Sequence, residues 1–156
     1  MATDEVDLVE LLAEHELALA RLYGAFAMVL AGHRELWERL SLEEENHAAM
    51  LRTLSGDLEV NRWLLHDSGV KPFAVKSSMD HVENTITRTR AGGLSSLQAL
   101  SIARDMETAL IEEQFSRMSP ALDLAIGSLI GQLAEDTERH RRSIIEILEV
   151  ERRGGI

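Results

Sequence analysis

Apolar residues recur at helical spacing along almost the whole chain, and the breaks between stretches divide it into four long stripes. Leu12, Leu19, Tyr23, Phe26 and Leu30 step by three, four or seven and define the first, in a segment free of Pro from Thr3 onward. Gly32-His33 reads as the break before a second stripe of Leu36, Leu40, Met50 or Leu51, Leu54 and Leu58, which Ser68-Gly69 and then Pro72 stop. Residues 69–93 form a connection with a short helical candidate from Ser78 to Arg90, followed by the flexible pair Gly92-Gly93. Ser95-x-x-Gln98 is a capping box that starts a third helix, with a stripe of Leu97, Leu100, Ala103, Leu110, Gln114 and Met118. Ser119-Pro120, an N-cap with Pro at the first helical position, opens a fourth. Its stripe runs Ile126, Leu129 or Ile130, Leu133, Ile144 and Ile147, and Gly154-Gly155 ends it. Two helical hairpins joined by a long crossover predict an all-α fold: one domain over residues 1–156, a four-helix bundle whose crossover carries a short extra helix. The same periodicity also permits an up-down-up-down bundle with a fifth short helix.

Each stripe is interrupted by a polar residue at an inward position. Glu16 lies between Leu12 and Leu19, Glu44 four after Leu40 with His47 three later, and Glu107 four after Ala103. Thr137 follows Leu133 by four, and His140 stands between Thr137 and Ile144. Singly, each reads as a boundary glutamate reaching solvent or a hydrogen-bonded core histidine, and Glu43-Glu44-Glu45 as a solvated face. Together, three carboxylates and two imidazoles near the middle of four facing helices crowd like charges into a low-dielectric core. Protonated acids or bound cations make that tolerable. A divalent metal is the cheaper account, since carboxylate oxygen and imidazole nitrogen suit iron, manganese or zinc. The chain also repeats itself: Glu43-Glu44-Glu45-Asn46-His47 and Asp136-Thr137-Glu138-Arg139-His140 both read acid, x, acid, polar, His. A pseudo-twofold pair of half-sites follows.

Composition narrows the partners. With 16 basic and 27 acidic side chains the formal charge is −11, which argues against nucleic acid or an anionic membrane surface and favours cationic ligands. The absence of Cys excludes disulfides, thiolate metal sites and thiol nucleophiles. The acidic start Met1-Ala2-Thr3-Asp4-Glu5 does not read as a signal peptide, and the apolar run from Leu22 to Gly32 is too short for a bilayer span. A cytoplasmic protein is the expectation. Because Leu22, Ala25, Phe26, Met28, Val29 and Leu30 cannot all face one axis, a homodimer held by this band is expected.

These motifs resemble the ferritin-like superfamily, and within it the rubrerythrin-like branch. Glu16 with Tyr23 seven residues on, and Trp37 ahead of Glu44-x-x-His47, are similar to the branch's first hairpin. Ala99-x-x-x-Ala103-x-x-x-Glu107 is similar to its third helix, and Asp136-x-x-Arg139-His140 to the run in related di-iron proteins where the Asp orients a histidine. The resemblance spans about residues 8 to 150 and implies a metal site of Glu16, Glu44, His47, Glu107 and His140. It departs from the family at Thr137, where a bridging Glu is expected, and at Leu110, where peroxidase members carry a further carboxylate. The cysteine-ligated rubredoxin domain has no counterpart. Three carboxylates against two divalent ions leave one positive charge over, so two iron sites are implied with the second weaker, and zinc or manganese as other occupants.

Three functions fit these features. One is a di-metal protein, redox-active towards oxygen or peroxide, that takes electrons from an external donor. Another is a non-catalytic protein with a single or mixed metal site. The last is a helical interaction module whose site is degenerate.

Overall fold

The computed structural model describes residues 6–66, 68–109 and 124–154, and within them the chain is all-helical. Six helices occur there: α1 Leu8–Val29, α2 Arg34–Arg52, α3 Leu58–His66, α4 Pro72–Arg90, α5 Ser96–Thr108 and α6 Leu124–Gly154. Leu110, Gln114, Met118 and the Ser119-Pro120 cap fall outside the described residues.

The first helix is the hub, packed most extensively on α2 and next on α4, while α5 pairs with α6. Asp7 caps α1 by accepting from the Glu10 amide. The turn to α2 uses left-handed backbone at Gly32 and His33, as the sequence break there predicts. The Ser95 capping box forms in both directions, Ser95 Oγ accepting from the Gln98 amide and Gln98 Oε1 from the Ser95 amide.

Two expectations about helix boundaries are corrected. The second helix does not run to Ser68. It ends at Arg52, the chain turns through Gly56 at φ +85°, and Asp57 Oδ1 accepts from the amides of Glu59 and Val60 to open α3. Gly56-Asp57 is therefore a helix stop followed by a helix start. Leu58, taken as the last residue of the stripe, is exposed, as is Leu97 of the third. The crossover helix is also longer than the sequence suggested, because Pro72 begins it rather than ending its predecessor. Its buried face is Val75, Val82, Thr85, Ile86 and Thr89. The two threonines satisfy themselves on carbonyls one turn back, Thr85 on His81 at 2.8 Å and Thr89 on Thr85 at 2.7 Å, so they pack as apolar residues.

That longer α4 explains the apolar circumference of α1. Leu22, Ala25, Phe26 and Ala27 are all buried within the protomer, between α2 on one side and α4 on the other. Met28, at 85% exposure, and Val29 remain as the outward apolar residues of the band. No helix among the described residues is long and apolar enough to cross a membrane.

Candidate metal centre

Glu16, Glu44, His47, Glu107 and His140 are all buried, at 6, 1, 1, 3 and 3% exposure. They come from α1, α2, α5 and α6. Glu44 lies at the middle. Its Oε1 is 3.1 Å from His140 Nδ1, and its Oε2 is 3.4 Å from His47 Nδ1. Glu16 hydrogen-bonds to Glu44. Glu107 stands 3.7 Å from His140 Nδ1 through Oε1, which also accepts from the Tyr23 hydroxyl at 2.7 Å. The two imidazoles stack with centroids 5.4 Å apart. Within the set, Glu44, His47 and His140 each offer a ligand atom inside a 4.8 Å span, which makes them the group that can hold one ion. Glu16 and Glu107 adjoin that trio through Glu44 and His140.

Both histidines turn Nδ1 inward and are held from behind at Nε2. His47 Nε2 donates to Asp136 Oδ2 at 3.1 Å, and His140 Nε2 to Glu43 Oε2 at 3.1 Å. Asp136 lies on the helix of His140 and Glu43 on the helix of His47, so each helix lends the other its orienting carboxylate. Asp136 is aimed in turn by Gln132 at 2.9 Å and by Arg139. An N–H fixed at Nε2 leaves the Nδ1 lone pair free for a metal. In keeping with that, His47 Nδ1 is a buried atom with no hydrogen-bond partner. Separations of 3.1–3.7 Å among these inward atoms are near the roughly 3–3.4 Å between donors that share an ion at about 2.0–2.2 Å. The donor set fits a divalent metal.

Protons hold the metal-free cluster together. Burial pushes the Glu16 carboxyl well above its ordinary range, and the Glu44 charge adds to this, so Glu16 stays protonated and donates to Glu44. Burial acts on Glu44 in the same direction, but hydrogen bonds to Glu16 and His140 and the adjacent His47 imidazole hold it well below the carboxylate range. Burial lowers His140, yet hydrogen bonds to Glu107 and Glu44 and their charges carry it up to about 10. Burial beside Glu44 raises Glu107 to about 7. A neutral acid, a carboxylate and an imidazolium thus occupy the space that an ion and three charged ligands would fill.

Thr137 lies on the cluster's edge, half-buried, with its hydroxyl donating to the Leu133 carbonyl at 2.9 Å. It borders a cavity shared with Glu16 and Glu107. Two residues escaped the sequence reading. Glu43 hides in an acidic run, although the repeat pairs it with Asp136 at the same distance before a histidine. His15, beside Glu16, is 3% exposed and bonds Ser78 Oγ through Nε2 at 2.8 Å. Burial lowers it to about 4 against the opposing pull of Glu44, so it is neutral at physiological pH.

Replacing Asp136 with Asn should weaken metal binding by about 10–100-fold, as loss of an orienting carboxylate does elsewhere. Competition with a chelator of known affinity measures it, and an unchanged affinity would detach Asp136 from the site. No protein-family model, curated protein or solved structure matches this chain.

Proposed function

We propose that this chain is a divalent-metal-binding protein of the ferritin-like, rubrerythrin-like kind, with a carboxylate/histidine centre in a four-helix core. The observation that carries the metal reading is the buried trio Glu44, His47 and His140, whose inward nitrogens are aimed from behind by Asp136 and Glu43. The ferritin-like reading draws support from the placement of Glu16 on α1, Glu44-x-x-His47 on α2, Glu107 on α5 and His140 on α6 around one point. Iron is the proposed occupant, with the five residues as its ligands. When bound it would supply one-electron chemistry towards oxygen or peroxide, fed by an external donor. Glu44, His47 and His140 would hold a first ion between them, and Glu16 and Glu107 would complete the set from the flank. Tyr23 would fix Glu107 through its hydroxyl.

A second reading, one ion held for binding rather than turnover, is favoured by Thr137, whose neutral side chain cannot bridge a metal pair. Stoichiometry separates the two. Anaerobic loading with ferrous ion should give about two irons per chain for a di-metal centre and about one for the other. Peroxide should then oxidise the loaded protein faster than free ferrous ion, whereas a protein that stays ferrous would leave the binding reading.

Loading must also expel protons, because His140 and Glu16 carry them in the metal-free protein and a ligand cannot. Zinc added to lightly buffered protein at pH 7 is expected to acidify the solution in proportion to the metal bound. The apparent affinity should fall as pH is lowered, since protons then compete for the same atoms. Saturable uptake without acidification would contradict the proton-filled cluster, and no saturable uptake of zinc or ferrous ion would end the metal reading.

A further inference from the structure

On the outer side of α1 lies a groove of about 460 Å³, lined by Arg21, Gly24, Ala25, Met28 and Val29 and by Arg90 of α4. None of these residues is acidic, on a chain of formal charge −11. Met28 is the most exposed large apolar side chain among the described residues, and Val29 beside it is exposed as well. Arg21 is paired with Glu83, while Arg90 has no ion pair among the described residues. Arginine and methionine are enriched at protein interfaces, and glutamate is depleted there. The floor of the groove leads inward. Gly24 follows Tyr23 in the chain, and the Tyr23 ring is fully buried, with its hydroxyl donating to Glu107 at 2.7 Å. One step of backbone, one side chain and one hydrogen bond therefore join this surface to the proposed ligand set.

We propose that this groove is the docking site of the external electron donor, and that the donor is an acidic one-electron carrier protein of the iron–sulfur or flavin type. The assignment rests on the iron reading above. Two guanidiniums beside an apolar floor complement carboxylates placed around an apolar tip. The net charge of the chain repels such a carrier from afar, but at physiological salt the screening length is about 8 Å, so the groove decides where contact is made. Its size suits a brief encounter. Six lining residues fall far short of the roughly 20–30 a side in a stable interface, and electron-transfer encounters belong to the small, weak class. The opening where His140 meets the surface, among Arg39, Glu43, Arg139 and Ser143, is not matched in this way. It has no apolar lining residue, and its arginines face Glu43 and Asp136. In the transfer one electron leaves the reduced carrier and reduces a bound ferric ion to ferrous, with no bond made or broken.

The test titrates the metal-free full-length chain, ¹³C-labelled at its methionine methyls, with an acidic [2Fe–2S] ferredoxin whose paramagnetic cluster broadens nearby resonances. The Met28 methyl should broaden saturably, Met50 of the second core cluster should not, and binding should weaken as salt is raised. Basic ferricytochrome c should leave Met28 sharp. Arg90→Glu and Met28→Glu, both at exposed positions, should each weaken ferredoxin binding about tenfold or more. Each should also slow oxidation of reduced ferredoxin by the ferric-loaded chain by a similar factor, at unchanged iron content. Several results would overturn the proposal: no saturable broadening of Met28, wild-type binding by Arg90→Glu, equal broadening by ferricytochrome c, or transfer that Arg139→Glu abolishes and Arg90→Glu does not. Sedimentation as a dimer that Met28→Glu splits would give the groove to a second copy and overturn it too. Docking on a chain that takes up no iron would remove the centre and leave the surface, and iron uptake without docking would do the reverse.

Discussion

Replacing Glu44 with Gln should strip the chain of most of its metal. Glu44 reaches both imidazoles, one through each oxygen, and bonds Glu16 as well, so it joins three other members of the cluster. The amide keeps the shape but loses the charge, and its NH₂ group would point a donor where a ligand atom is needed. An affinity loss beyond about 100-fold is expected, larger than the 10–100-fold typical of outer carboxylates such as Asp136. Elemental analysis after equilibrium loading, with circular dichroism to confirm the helices, reads the result. A folded variant that keeps full metal would remove Glu44 from the ligand set.

Thr137→Glu should act with opposite signs on the metal-free and the loaded protein. A carboxylate at this half-buried position would enter the cavity beside Glu16 and Glu107. Without metal, a third acid joins two whose pKa values burial and the Glu44 charge already raise, and destabilisation of roughly 1–3 kcal/mol is expected. With metal, the added charge balances a second divalent ion, and occupancy near His140 should rise. The paired measurements are thermal unfolding with and without zinc, and iron content after anaerobic loading. A loaded variant with wild-type occupancy would mean that position 137 does not serve the site, and oxidation by peroxide no faster than wild type would mean that the missing carboxylate was not what limited the chemistry.

Much of the helical layout was legible because it depends on local spacing. Leu12, Leu19, Tyr23 and Phe26 are buried as their stripe requires, and so are Ile130, Leu133 and Ile144 on α6. The five inward polar residues were found because each breaks such a stripe. Other features do not register in spacing. The end of α2 depends on Gly56 taking positive φ and on Asp57 capping α3, neither of which disturbs an apolar count. The full length of α4 was hidden because Thr85 and Thr89 look polar until their hydroxyls are seen bonded to their own helix. The role of Glu43 required knowing that His140, ninety-seven residues away, lies opposite it. His15 was passed over because its partner, Ser78, comes from α4, the element whose start was misplaced.

The crossed carboxylates have a mechanical consequence. Glu43 and Asp136 each precede a histidine on their own helix by one turn, and each grips the histidine of the other. Sliding α6 along α2 by one turn, about 5.4 Å, would break both grips at once and bring neither acid opposite an equivalent partner. Apolar side chains of the same two helices, Trp37 and Leu40 with Ile144 and Leu148, belong to one core cluster. The four polar side chains add a pair of pins to that packing, which position the ligands and index the helices in the same stroke.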